Sequence, residues 1–218
     1  MEGPMIAKHI RYHEANILNP EAGNHVVTSD PREVKAAKRA AQRSWAEFPY
    51  YGHRYGTRGR QFSLSDSGWL ATLVDLTPDV AVEQVKWLGG VLSSRGMPQW
   101  MLERHLAILH EELSAALPES AGRYSILLHC AAELRSMREA HFPPARFQAL
   151  TDAFDAAVGE PWNRRLRGMG GILVAAVADE RSGIEYAVPS LIEWLCDPGR
   201  FPPEWIAAVN GTLARARG

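Results

Sequence analysis

Residues Tyr50 to Phe62, YYGHRYGTRGRQF, hold the densest recognition chemistry in this 218-residue chain. Tyr50, Tyr51 and Tyr55 offer rings with hydrogen-bonding tips, and Arg54, Arg58 and Arg60 offer planar donors suited to carboxylate or phosphate. His53 lies among them. Because Gly52, Gly56 and Gly59 interrupt helix, the stretch reads as a connector, where binding residues concentrate. Two roles are open. The set is either a recognition patch or a lock in which the arginines tie the loop to neighbouring helix ends and the tyrosines seal the core edge. In the second role Asp66 and Asp75 would neutralise two of the arginines.

The histidines raise metal chemistry. His9 and His13 are four apart, the spacing that puts two imidazoles on one helix face, with Glu14 adjacent. The segment around them lacks a helical pattern, so no metal site is assigned. His105 and His110 are five apart, about 140° around a helix, and cannot share one ion directly. His105 sits beside Leu102 and Leu109 as a structural histidine, while His110 shares a solvated stripe with Glu103 and Ala107. His129, Glu133, Ser125 and Ser136 form a polar row that an exposed edge explains.

Catalytic motifs are missing from the sequence. It holds no Glu-x-x-His of a di-iron bundle, no Gly-x-Ser-x-Gly, no Cys-x-x-Cys, no phosphate-binding loop and no dinucleotide fingerprint. RLRGMGG, Arg165 to Gly171, resembles a phosphate cradle, but its glycines more simply permit close helix packing. Cys130 and Cys196 lie among apolar neighbours as buried thiols. Catalytic residues and cofactor are therefore unknown, and the reading leans away from an enzyme.

The elements that must position these groups are helices. DPREVKAAKRAAQRSWAEF opens with a capping Asp30 and Pro31 at the first helical position, with Val34, Ala37, Ala41 and Trp45 on one stripe. SLSDSGWLATLVDL follows the Tyr50–Phe62 stretch. Thr77 and Pro78 start another helix that stops at Gly96. Further helices run from Pro98 to Leu117, over ESAGRYSILLHCAAELRSMREAHF, and after Pro143–Pro144, with three more segments behind them. Met97–Pro98, Phe142–Pro143 and Phe201–Pro202 repeat one joint, in which a bulky residue staples the helix that its proline opens. No convincing strand pattern occurs beyond residue 30. The fold expected is all-α: a single bundle of seven to nine helices over 30–218, with a sub-boundary near 142–163. Residues 1–29 would be an irregular arm packed on it.

Leu70 to Leu117 resembles the central helices of a globin. The Leu88–Gly89 pair, the turn Gly96–Met97–Pro98 and the leucine-rich helix after it carry the likeness, and the aromatic FPYYGHRY would match the second helix and corner. That resemblance spans roughly residues 30–142. The position of the haem-ligating histidine holds Leu92, which cannot bind iron. It therefore implies a haem-less, globin-like sensory domain.

Composition narrows the partners. Hydrophobic residues make up 46% and charged residues 22%, with a formal net charge of −1. No global field would draw nucleic acid or an anionic membrane. No apolar signal core or membrane-length run is seen, which predicts a cytoplasmic protein. The function expected is a non-catalytic binding, sensory or protein-interaction module, partnered by a protein or a small molecule. One alternative is a tetrapyrrole- or small-molecule-binding protein of globin-like architecture. The other is a metal enzyme using the N-terminal histidines with His53.

Overall fold

A computed structural model describes residues 12–218. Ten α-helices make up nearly all of it: α1 (Pro31–Glu47), α2 (Tyr50–Leu70), α3 (Pro78–Ser93), α4 (Gln99–Ala116), α5 (Ala121–His141), α6 (Pro144–Val158), α7 (Glu160–Arg165), α8 (Met169–Arg181), α9 (Ala187–Leu195) and α10 (Pro203–Arg217). The all-α expectation holds, with one helix more than the upper count. Ahead of α1, strands β1 (Tyr12–Glu14) and β2 (Val26–Thr28) pair antiparallel, Tyr12 opposite Thr28 and His13 opposite Val27. The described part of the arm is thus a short hairpin.

Local chemistry explains most helix starts. Asp30 accepts the Arg32 amide at 2.8 Å, satisfying one of the amides that a helix start leaves unpaired, and Pro31 opens the first turn. Pro98, Pro143 and Pro202 stand at the N-cap positions of α4, α6 and α10. The residues before them are stapled inward, with Phe142 and Phe201 buried and Met97 half-buried on the core. At the end of α3, Gly96 takes φ +84°, a left-handed conformation that glycine adopts without steric cost.

Two apolar clusters form the interior. One collects residues of α1, α3, α4 and α5 with Leu70 and Leu73, around Val85, Leu106, Leu109 and Leu127. The other is built on α6, α8, α9 and α10. Every residue of α8 from Met169 to Asp179 is buried, so this helix is the second cluster's axis. Phe48, Tyr50 and Met101 reach into that second cluster from the first half of the chain. Gly170 lets α6 and α8 meet closely, since a Cβ there would lie 2.8 Å from the Thr151 carbonyl oxygen. Gly170 and Gly171 thus serve packing, as expected, whereas Gly168 takes φ +80° in the turn ahead of α8.

Candidate functional site

Tyr50–Phe62 is helix, not connector. It forms the first half of α2, and of its three glycines only Gly56 leaves helical geometry, at φ 55° and ψ −149°. Gly52 and Gly59 stay helical, with the Trp45 indole lying against both, at the cost of about 1 kcal/mol each that glycine carries in a helix.

The kinked helix turns three of the candidate side chains onto the α3–α4 turn. The Tyr50 hydroxyl donates to the Gly96 carbonyl at 2.7 Å, and the Tyr55 hydroxyl donates to the Arg95 carbonyl at 2.8 Å. Arg54 donates to the Tyr50 oxygen at 2.5 Å and to the Ser190 carbonyl at 2.7 Å. Its guanidinium also lies over both tyrosine rings. A side chain at Gly96 would collide with that guanidinium. Tyr50 is fully buried, and desolvation pushes its hydroxyl well above the usual tyrosine range, so it stays a neutral donor.

The remaining four candidates separate from this clasp. Tyr51 stacks on Trp45 at 5.3 Å, and Arg60 lies over the same indole. His53, Arg58 and Arg60 are exposed. Arg58 pairs with Glu21 at 2.8 Å, not with Asp66 or Asp75 as expected. Asp75 instead accepts from Arg123 and Tyr12. Asp66 is half-buried, and desolvation raises its carboxyl to about 7 against the opposing pull of Arg95.

His105 is a structural histidine, as its neighbours suggested. Its Nδ1 lies 2.7 Å from Ser44 Oγ and its Nε2 lies 3.0 Å from Ser67 Oγ. Ser67 donates its own proton to the Ser63 carbonyl at 2.6 Å, so Nε2–H must donate to Ser67 while Nδ1 accepts from Ser44. Burial lowers this imidazole to about 4, keeping it neutral. Leu92 packs half-buried on the first apolar cluster. His9 lies outside the described residues, His13 stands on β1, and no trio of His, Cys, Asp or Glu suited to a metal converges among the described residues.

Two hollows lie elsewhere, where the hairpin crosses the start of α1. Leu18 and Val27 seat the hairpin on α2 at Gly68, where a Cβ would come within 2.8 Å of Leu18. A cleft of about 660 Å³ opens between the hairpin, the N-terminus of α1, the 3-10 turn Ala71–Asp75 and Arg123 of α5. Glu33 accepts from Tyr124 at 2.6 Å and from Thr28 on its walls. A second hollow of about 400 Å³ adjoins it, sharing His13, Thr28, Ser29 and Pro31. Apolar residues line this groove: Ile17, Leu18, Val27, Pro31 and Val34. Its rim carries Lys35 and Lys38, both exposed.

The chain matches no known family, no curated protein and no solved structure. The hairpin face must therefore be read from its own chemistry. No described helix is long and apolar enough to cross a membrane. Val34, expected on the core stripe of α1, sits half-buried at the groove, because Ala36, Ala37, Ala40, Ala41 and Ser44 take the buried face. The sequence did carry one signal for the hairpin. Asn19, Pro20, Gly23 and Asn24 are turn residues between the short apolar runs at Ile17–Leu18 and Val26–Val27.

Proposed function

We propose that this chain is a non-catalytic interaction module whose recognition surface is the face made by the hairpin on α1. One observation carries the reading: an open apolar groove of about 400 Å³ runs beside a polar cleft of about 660 Å³ on the same face. Ile17, 64% exposed, stands at the groove, and Val26, 47% exposed, stands on the same hairpin. Apolar side chains left in water around a preformed hollow gain free energy when a partner covers them, about 1.5–3 kcal/mol for a side chain the size of isoleucine. The groups with the most chemistry, Tyr50, Arg54, Tyr55 and His105, are engaged in holding helices together.

Selection from a displayed random-peptide library tests this reading. Peptides enriched on the wild-type protein are expected to lose at least about tenfold in affinity toward Ile17→Asp, a change at an exposed site that leaves the melting temperature unchanged. Enriched peptides that bind the variant equally well would overturn it. So would a selection that enriches nothing.

A further inference from the structure

The chemistry of the groove's rim specifies its partner further. α1 turns Arg32, Lys35, Lys38, Arg39 and Arg43 away from its buried alanines. Three of these cations are matched by carboxylates. Arg32 meets Asp30 and Glu119, Arg39 meets Glu112 at 2.5 Å, and Arg43 meets Glu111 and Glu112. Lys35 and Lys38 have no ion-pair partner among the described residues, and they are the two cations that line the apolar groove.

The carboxylates of the hairpin and of the first turn of α1 are bound to other groups. Glu33 is occupied by Thr28 and Tyr124, Glu14 accepts from Asn16, and Glu21 holds Arg58. An apolar trough edged by two unmatched ammonium groups is complementary to a surface with the reverse pattern, an apolar stripe flanked by carboxylates. An amphipathic helix presents such a stripe at positions i, i+3, i+4 and i+7.

We infer that the groove between the hairpin and α1 docks an acidic amphipathic helix of a partner protein, with its apolar stripe against Ile17, Leu18 and Val34 and its carboxylates on Lys35 and Lys38. This rests on the interaction-module reading and names the partner's chemistry. The lysines set the sign of the partner and its rate of encounter, whereas the apolar floor supplies most of the affinity.

Fluorescence anisotropy on the full chain tests it with two synthetic helices of about 18 residues. Both carry leucines at the stripe positions, and one is flanked by glutamates while its counterpart has lysines there. The glutamate helix is expected to bind wild type at least about tenfold more tightly than the lysine helix. Lys35→Glu combined with Lys38→Glu, two exposed changes, should reverse that order. Binding of the glutamate helix should also weaken as salt rises.

Equal binding of the two helices, an unreversed order, or no binding of either overturns the inference. Tight binding of wild type to phosphatidylglycerol vesicles without binding of the glutamate helix overturns it in favour of a membrane surface. The two readings fail separately. Library-selected peptides that lose affinity on Ile17→Asp but ignore the lysine reversals would leave the interaction module standing and remove only the acidic partner.

Discussion

Arg54 on α2 donates to the backbone carbonyl of Ser190 on α9 across 2.7 Å, joining elements 136 positions apart. The same guanidinium holds the Tyr50 hydroxyl, which in turn holds the α3–α4 turn. One side chain therefore ties together the first half of the chain, the central turn and the C-terminal cluster. Substituting it should be felt globally. Arg54→Ala is expected to lower unfolding stability by about 2 kcal/mol, since it removes two hydrogen bonds made by a charged donor, one to Tyr50 and one to Ser190. Arg58→Ala, which breaks an exposed pair with Glu21 and an exposed contact with the Phe62 ring, should stay within about 1 kcal/mol. Denaturant unfolding of both variants checks this, and equal losses would show that the clasp contributes nothing special.

Asp179 caps α4 from another helix. Its buried carboxyl accepts from the Gln99 amide at 2.8 Å and from Ser93 Oγ at 2.6 Å, and burial raises it to about 6. Asp179→Asn keeps an acceptor at the helix start and should cost less than about 1 kcal/mol. Asp179→Ala strands a buried amide and a buried hydroxyl and should cost about 2–3 kcal/mol. If the asparagine variant is as destabilised as the alanine one in urea unfolding, the capping role is wrong.

Desolvated groups set opposing pH dependences, His105 in one direction and Asp66, with Asp179, in the other. His105 has its ordinary value of 6.5 lowered to about 4, so the stability gained from its neutral form is present above pH 6.5 and lost as pH falls toward 4. Asp66 is raised from 3.8 to about 7, so the fold retains a proton that the unfolded chain releases. Its contribution is full below pH 3.8 and is lost as pH rises through 7. Urea titrations across pH 4–7.5 should show His105→Gln removing part of the rise in stability with pH, and Asp66→Asn removing part of the fall. Slopes identical to wild type in either variant would contradict the assigned burial.

Glycine positions give a paired test. Gly170→Ala pushes a methyl group against the Thr151 backbone and should destabilise by about 1–3 kcal/mol, whereas Gly90→Ala meets nothing within 4 Å. The second change should stabilise α3 by about 0.5–1 kcal/mol through helix propensity. Thermal unfolding with opposite shifts supports the close α6–α8 approach, and similar small shifts would refute it.

Much of the architecture was legible because helix ends carry local chemistry. Asp30 with Pro31, Gly96, and the repeated bulky-residue–proline joints each act within a few residues, so sequence alone locates them. The first half of α2 was not legible for the opposite reason, although the segment from Ser63 was read as helix. Gly52 and Gly59 look like helix breakers in the sequence, yet both are helical and only Gly56 leaves helical geometry. The hairpin escaped notice because strands of three residues are too short to show alternation. Lys35 and Lys38 carry no signal in the sequence that sets them apart from other lysines. Their meaning depends on the hairpin that places Ile17 and Leu18 beside them. The arginines of α2 were conspicuous by type, yet Arg54 faces inward and Arg58 is paired with Glu21 of the hairpin, 37 positions away.

Backbone-amide NMR during titration with the tightest library-selected peptide probes the recognition surface most directly. The account predicts that the largest shift changes fall on His13–Leu18, Val26–Thr28 and Val34–Lys38. Changes centred instead on the exposed Trp87 and its neighbour Trp69, or on His53, Arg58 and Arg60, would contradict it.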